Sequence, residues 1–182
     1  PIFWIFLDEL RLLDYTKFIK LIPENKHNKL GIVFRSVNKK NLFGRYQELA
    51  RLCNQKKIPF LVSDNPTVAK ALGAKGVHFS KNISYSKRSQ GLIYSCSFHG
   101  LNDLRRLKNL DADLVFISPV FKTNSSDLKK PLGLLITGLL FNYVKTNKAI
   151  MGGLNLDNIR LFRGRSISCF GGLEYIYNNF VS

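Results

Sequence analysis

Leu114-Val115-Phe116-Ile117-Ser118-Pro119-Val120-Phe121-Lys122-Thr123 runs from an apolar stretch into hydroxyls and proline, and a polar segment, residues 124–130, then leads to Pro131-Leu132-Gly133. A short apolar run that stops at Ser, Pro and Gly reads as a buried strand with a loop at its carboxyl end. Open α/β sheets and α/β barrels gather their ligand-binding groups at that end of the strands. The decisive question is whether the rest of the chain repeats the pattern.

It does, in both directions. Apolar runs at residues 3–7, 31–34, 59–62, 76–79, 92–96, 113–117, 149–151 and 167–170 predict eight strands. Between and after them, residues 15–22, 42–55, 66–72, 101–110, 134–145, 156–162 and 174–181 predict helices, and residues 84–89 at most one helical turn. In 42–55 the apolar residues Leu42, Phe43, Tyr46, Leu49, Ala50 and Cys53 follow helical spacing. The segment 134–145 is so apolar that it reads as a buried helix. Strict alternation of strand and helix implies parallel strands with helical crossovers, and eight units close into a (β/α)8 barrel, a single domain over 1–182. The chain has 182 residues, short for a fold of typically about 250, so its loops must be minimal. The rival is an open doubly wound sheet. It has difficulty placing eight strands of one pattern, and no GxGxxG opens a helix after the first strand.

Hydrophobic residues make up 45% of the chain, enough for a folded core. The net charge is +16, which suits a phosphorylated small molecule, a nucleic acid or an anionic surface. The positive charges come dispersed, as pairs such as Lys39-Lys40, Lys56-Lys57, Arg105-Arg106 and Lys129-Lys130, and read mostly as solvated surface. The lack of a basic arm or run counts against nucleic acid. Cys53, Cys96 and Cys169 lie far apart, and Cys96 and Cys169 sit in apolar runs, so they read as buried thiols rather than a disulfide framework. The longest apolar stretch, residues 132–144, contains Thr137 and Asn142 and is too short to cross a bilayer. A cytoplasmic protein with no membrane partner is the expectation, with association between identical chains left open.

On a barrel, the residues that follow each strand share one face. They are Arg35-Ser36, Ser63-Asp64-Asn65, Ser80-Lys81, Ser97 with His99, Ser118 with Thr123 and Ser125, Gly152-Gly153 and Gly171-Gly172. Cations, hydroxyls and glycine pairs at a strand-to-helix turn are chemistry for an anionic ligand. HExxH, clustered His/Cys/carboxylate ligands and GxSxG are all absent from the sequence, so zinc and triad hydrolysis have no support.

From Gly31 to Tyr177 the chain resembles the thiamine phosphate synthase and thiazole tautomerase (TenI) superfamily. The resemblance is carried by Val33-Phe34-Arg35 for Q-L-R, Ser63-Asp64 for N-D, and Ala71-Leu72-Gly73-Ala74-Lys75-Gly76-Val77-His78 for A-x-x-x-G-A-x-G-V-H. It continues in Ser95-Cys96-Ser97-Phe98-His99 for G-x-S-x-H, in Ser118 to Thr123 for G-P-V-F-P-T, and in Gly152-Gly153. The resemblance implies an enzyme that joins an aminopyrimidine pyrophosphate to a thiazole phosphate and releases pyrophosphate. It implies Arg35 and Ser97 as catalytic, and Arg35, Ser63, Thr123, Ser125, Gly152, Gly153, Gly171 and Gly172 as substrate-binding; Lys122 as a further catalytic cation and Lys81 as a further substrate-binding one are this chain's own additions. Asp64 is implied as a ligand of Mg²⁺.

Several family positions differ. The Gln and Lys flanking the family Arg are Val33 and Val37, the second Mg²⁺ carboxylate is missing near Ile83, and the Lys of T-x-T-K is Ser126. The tautomerase histidine is Pro119, so that branch has no support. Lys81 and Lys122 stand where the family has Gln and Pro, and could neutralise pyrophosphate in place of part of the metal site. His78 reads as part of a structural G-V-H turn and His99 as a helix-starting residue. Two other functions stand beside the synthase: an altered or inactive paralogue that binds a phosphorylated small molecule, and, weakest, a basic barrel that binds nucleic acid.

Overall fold

The structure is a computed structural model and describes residues 3–8, 15–24, 29–36, 40–123 and 130–172. The strands are β1 (Phe3–Asp8), β2 (Leu30–Arg35), β3 (Phe60–Ser63), β4 (Gly76–Phe79), β5 (Ile93–Phe98), β6 (Leu114–Ile117), β7 (Asn147–Met151) and β8 (Cys169–Gly172). They form a closed barrel in chain order, every pair parallel, with β8 returning to β1 through Phe3↔Phe170, Trp4↔Gly171 and Ile5↔Gly172. The helices are α1 (Tyr15–Leu21), α2 (Leu42–Gln55), α3 (Pro66–Ala71), α4 (Leu104–Leu110), α5 (Gly133–Phe141) and α6 (Leu156–Ile159). A 3₁₀ turn leads into α4 and another follows α6. The expected helix at 174–181 lies outside the described residues.

Alternation along the strands sorts the core into two layers. One parity faces the lumen and forms the cluster of Trp4, Phe6, Val33, Leu61, Leu114, Phe116, Ala149 and Cys169. The other packs outward toward the helices, in a second cluster that includes Ile5, Leu7, Ile32, Phe34, Val62, Val77, Cys96 and Val115 together with Tyr46, Leu49, Ala50 and Cys53 of α2. Asp8, Arg35, Ser63, His78 and Ser97 share the inward parity, which brings polar groups to the lumen above an aromatic floor. Local signals set the helix starts. Asn41 Oδ1 accepts from Gly44 N–H at the head of α2, and Asn65 Oδ1 accepts from Val68 N–H at the head of α3, with Pro66 in the first turn.

Three expectations need correction. Residues 84–89 form no helical turn. Residues 134–145 were expected to be a buried helix, but α5 ends at Phe141 and buries only Thr137 and Leu140, while Leu135 is 79% exposed and Ile136, Leu139 and Tyr143 also face solvent. A helix apolar on every side carries no stripe to mark which face is inside, and a barrel helix has one face on the strands only. Gly171 and Gly172 end β8 and do not form a turn after it. Gly171 is small for a lumen reason: a Cβ there would lie 3.0 Å from the Phe116 ring and 3.1 Å from Phe6. All three cysteines are buried and free, and burial pushes their thiols up, Cys53 to about 12 and Cys96 and Cys169 to about 11. Among the described residues, no helix is long and apolar enough to cross a membrane.

Candidate active site

At the carboxyl end of the strands, β1 and β2 run side by side with Asp8 opposite Arg35. The Arg35 side chain is half exposed and its Nη1 stands 3.9 Å from Asp8 Oδ2, a loose pair. Ser63 closes β3 and is buried; its Oγ accepts from Ser36 N–H at 3.2 Å. The next residue, Asp64, is held at φ 59°, and its Oδ1 accepts from Ser80 N–H at 2.6 Å, which ties the end of β3 to the end of β4. Ser80 Oγ is buried beside it with no hydrogen-bond partner among the described residues. Arg35, Ser63, Asp64 and Ser97 therefore meet on one rim, as the alternation predicts. Lys81 and Lys122 stand on the same rim, both exposed, and Thr123 is half-buried beyond Lys122. Ser125 lies outside the described residues.

Ser97 is wired into the lumen. Ser95 Oγ donates to the Val77 carbonyl at 3.3 Å, so it accepts from His78 Nδ1 at 2.9 Å, and His78 Nε2 is left to accept from Ser97 Oγ at 3.4 Å. The His78 ring is wedged edge-on against Phe6 and Phe116. Burial first, then the positive charges of Arg35 and Arg106, push its pKa down to about 3, with Asp64 opposing. It is neutral at physiological pH. Instead of belonging to a turn, His78 is part of β4 and of the lumen. His99 stands just before the turn that leads into α4, as expected, and makes a second link as well. Its backbone N–H donates to Asp103, and its Nδ1–H donates to the Ser118 carbonyl at 2.6 Å, joining the ends of β5 and β6.

The glycines after β7 serve close approach. Gly152 and Gly153 have φ of 99° and 63°, and a Cβ on Gly153 would lie 2.3 Å from the Lys122 carbonyl oxygen. Val120 N–H and Phe121 N–H donate to Met151 and Gly152, so the loop carrying Lys122 and Thr123 is laced to the end of β7. Sequence reasoning missed Arg106, which reads as half of a surface pair. It is only 8% exposed, and its guanidinium donates to the carbonyls of Ile83, Ser97, Phe79 and Ser80. The signal available was its place four residues before Leu110, on the face of α4 that is buried. Asp8 was missed as well, one residue beyond the expected end of the first strand.

For Mg²⁺, the donors in reach are the Asp64 carboxylate and the neighbouring Ser80 hydroxyl. No group of three His, Cys, Asp or Glu side chains forms a metal site among the described residues. Such a set fits Mg²⁺ only where substrate phosphates and water supply most of the octahedron.

A closed eight-stranded parallel barrel, with cations, hydroxyls and the carboxylates of Asp8 and Asp64 at the carboxyl end of its strands, defines the class: an α/β barrel. The sequence model of the family described as thiamine monophosphate synthase (TMP-TENI) matches residues 26–170, and the chain belongs to that family. The thiamine-phosphate synthase of Staphylococcus carnosus is 28% identical over 120 residues, 63% of this chain and 57% of the relative. That of Pelagibacter ubique is 24% identical over 184 residues, 96% of this chain and 83% of the relative. A probable thiamine biosynthetic bifunctional enzyme of Schizosaccharomyces pombe is 28% identical over 138 residues, only 26% of its length. The Pelagibacter relative apart, the chain spans less than two thirds of the curated relatives named here. Among solved structures, a thiamine phosphate pyrophosphorylase from Pyrococcus furiosus superposes with a TM-score of 0.70 at 19% identity, covering 93% of this chain and 83% of that one. A citrate synthase variant superposes at 0.66 with 13% identity, covering 95% and 86%. Likeness at that identity is a likeness of fold, and one fold hosts many chemistries.

Proposed function

We propose that this chain couples an aminopyrimidine pyrophosphate to a thiazole phosphate, as a thiamine phosphate synthase in the cytoplasm. The observation that carries the reading is the meeting of Arg35, Ser63, Asp64 and Ser97 on one rim of a barrel of this family. In the reaction the carbon–oxygen bond to pyrophosphate breaks with its electron pair on the leaving group, and the thiazole nitrogen forms the new bond to that carbon. The protein's task is to position two substrates and to stabilise charge as it builds on the leaving pyrophosphate. Arg35 offers a planar guanidinium for phosphate oxygens. Lys81 and Lys122 add point charges on the same rim, and Ser63, Ser97 and Thr123 offer hydroxyls. The turn at Gly152-Gly153 shapes the thiazole-phosphate end. Mg²⁺, held by Asp64 together with phosphate oxygens and water, would supply further charge neutralisation. The floor of Phe6, Phe116 and neutral His78 keeps the lumen side dry, which strengthens each of these interactions.

A specific observation favours a second reading, an altered paralogue that binds a phosphorylated small molecule without turnover. Ile83 stands near the position of a second metal carboxylate, and its carbonyl is taken by Arg106. A coupling assay for thiamine phosphate decides between them. The synthase yields product, and Arg35→Ala lowers kcat/KM by about a hundredfold or more. Calorimetric binding of both substrates without product selects the paralogue. Activity that survives EDTA but falls when both Lys81 and Lys122 are replaced assigns the charge neutralisation to the lysines.

A further inference from the structure

The ends of β2 and β3 hold a second guanidinium. Arg45 stands in the opening turn of α2, and the helices of an α/β barrel begin at the rim where the strands end. Its Nη1 donates to Ser36 Oγ at 2.9 Å, and Ser36 N–H donates in turn to Ser63 Oγ at 3.2 Å. Ser36 directly follows Arg35. The Arg45 side chain is therefore led back from the helix onto the rim, to the residue beside Arg35, and is joined by two hydrogen bonds to the inward-facing Ser63. The next residue of the helix, Tyr46, is buried and stacked on Phe34 with ring centroids 5.1 Å apart. Its hydroxyl closes no hydrogen bond among the described residues. Burial pushes its phenol up, while the nearby Ser36 and Ser63 hydroxyls and the Arg45 charge pull it part of the way back. A buried donor with no regular partner thus lies against the same pair of serines.

We propose that Arg45 completes the phosphate-binding end of this site, holding a pyrophosphate oxygen in concert with Arg35. The inference rests on the phosphorylated-ligand reading given above. Bringing two guanidinium groups onto one rim costs Coulomb energy, which an anion between them reverses. The bond to Ser36 orients the guanidinium, and an oriented fork loses less freedom when it grips phosphate.

The test is titration calorimetry of inorganic pyrophosphate into the intact chain. Arg45→Gln keeps a donor for Ser36 but removes the charge, and is expected to weaken binding about tenfold. Arg45→Lys is expected to fall between the two. Arg51→Ala removes one positive charge from the same helix, where Arg51 pairs with Glu48, and is expected to bind within about twofold of wild type. Equal affinity in wild type and Arg45→Gln overturns the assignment and leaves the phosphate reading standing. A wild-type chain that does not bind pyrophosphate overturns both. If Arg45→Gln does not fold by circular dichroism, Arg45→Lys decides, and unchanged affinity in that variant overturns the proposal.

Discussion

At the scale of single residues, His78 links the site to stability. Its pKa is about 3 in the folded barrel against an ordinary value of 6.5. The unfolded chain therefore binds more protons than the folded one below pH 6.5, and stability falls with pH. The contribution is held at neutral pH, drains away as pH drops from about 6.5 toward 3, and is fully lost below that. Between pH 7 and pH 5 the loss is about 2 kcal/mol. Urea unfolding at the two pH values measures it. His78→Gln, which has nothing to titrate there, is expected to flatten the dependence, and an equally steep slope in that variant would show that His78 is not its source. The same residue explains a gap between sequence and site. G-V-H reads as a turn because His78 is the one polar residue inside the expected strand 76–79. Only the barrel's closure, which puts Phe6 and Phe116 against the ring, shows that it belongs to the lumen.

At the scale of elements, Arg106 joins α4 to the ends of β4 and β5 through four bonds to backbone carbonyls. Arg106→Met leaves those carbonyls without their donor and is expected to cost at least about 2 kcal/mol. Thermal melting reads the cost, and faster hydrogen exchange through residues 80–83 locates it. A variant that melts like wild type would mean the four bonds contribute nothing net. The strands were legible in the sequence to within a few residues, because a barrel strand is an apolar run bounded by polar or glycine residues. Positions on the rim were legible for the same reason: Arg35, Ser63, Asp64 and Ser97 each sit where an apolar run stops. What sequence could not show was any contact that depends on distant partners. Arg106 looks like its surface neighbour Arg105 until the β4 turn folds over it. Gly171-Gly172 looks like a phosphate turn until pairing with β1 extends the strand through it. Helix α5 has no polar face, so its exposure follows from its place on the barrel and not from any pattern of its own.

At the scale of the whole molecule, closure makes stability a shared property. Every strand has two partners, so opening any one seam exposes two rows of hydrogen-bonding groups and part of the lumen. The expectation is a single cooperative transition in denaturant, with secondary and tertiary signals moving together. Far-UV circular dichroism and intrinsic fluorescence, followed in the same titration, give the comparison, and separated midpoints would show that part of the ring opens first.

The tryptophan fluorescence in that comparison has one source. Trp4 is the only tryptophan in the chain and is 2% exposed, lying against Gly31 so closely that a Cβ there would come within 2.6 Å of the indole. Short-wavelength emission thus signals a dry interior and a red shift signals entering water. Ligand-induced tightening, thermal loosening and the harm done by a substitution all become visible in one cuvette, without a dye or a tag.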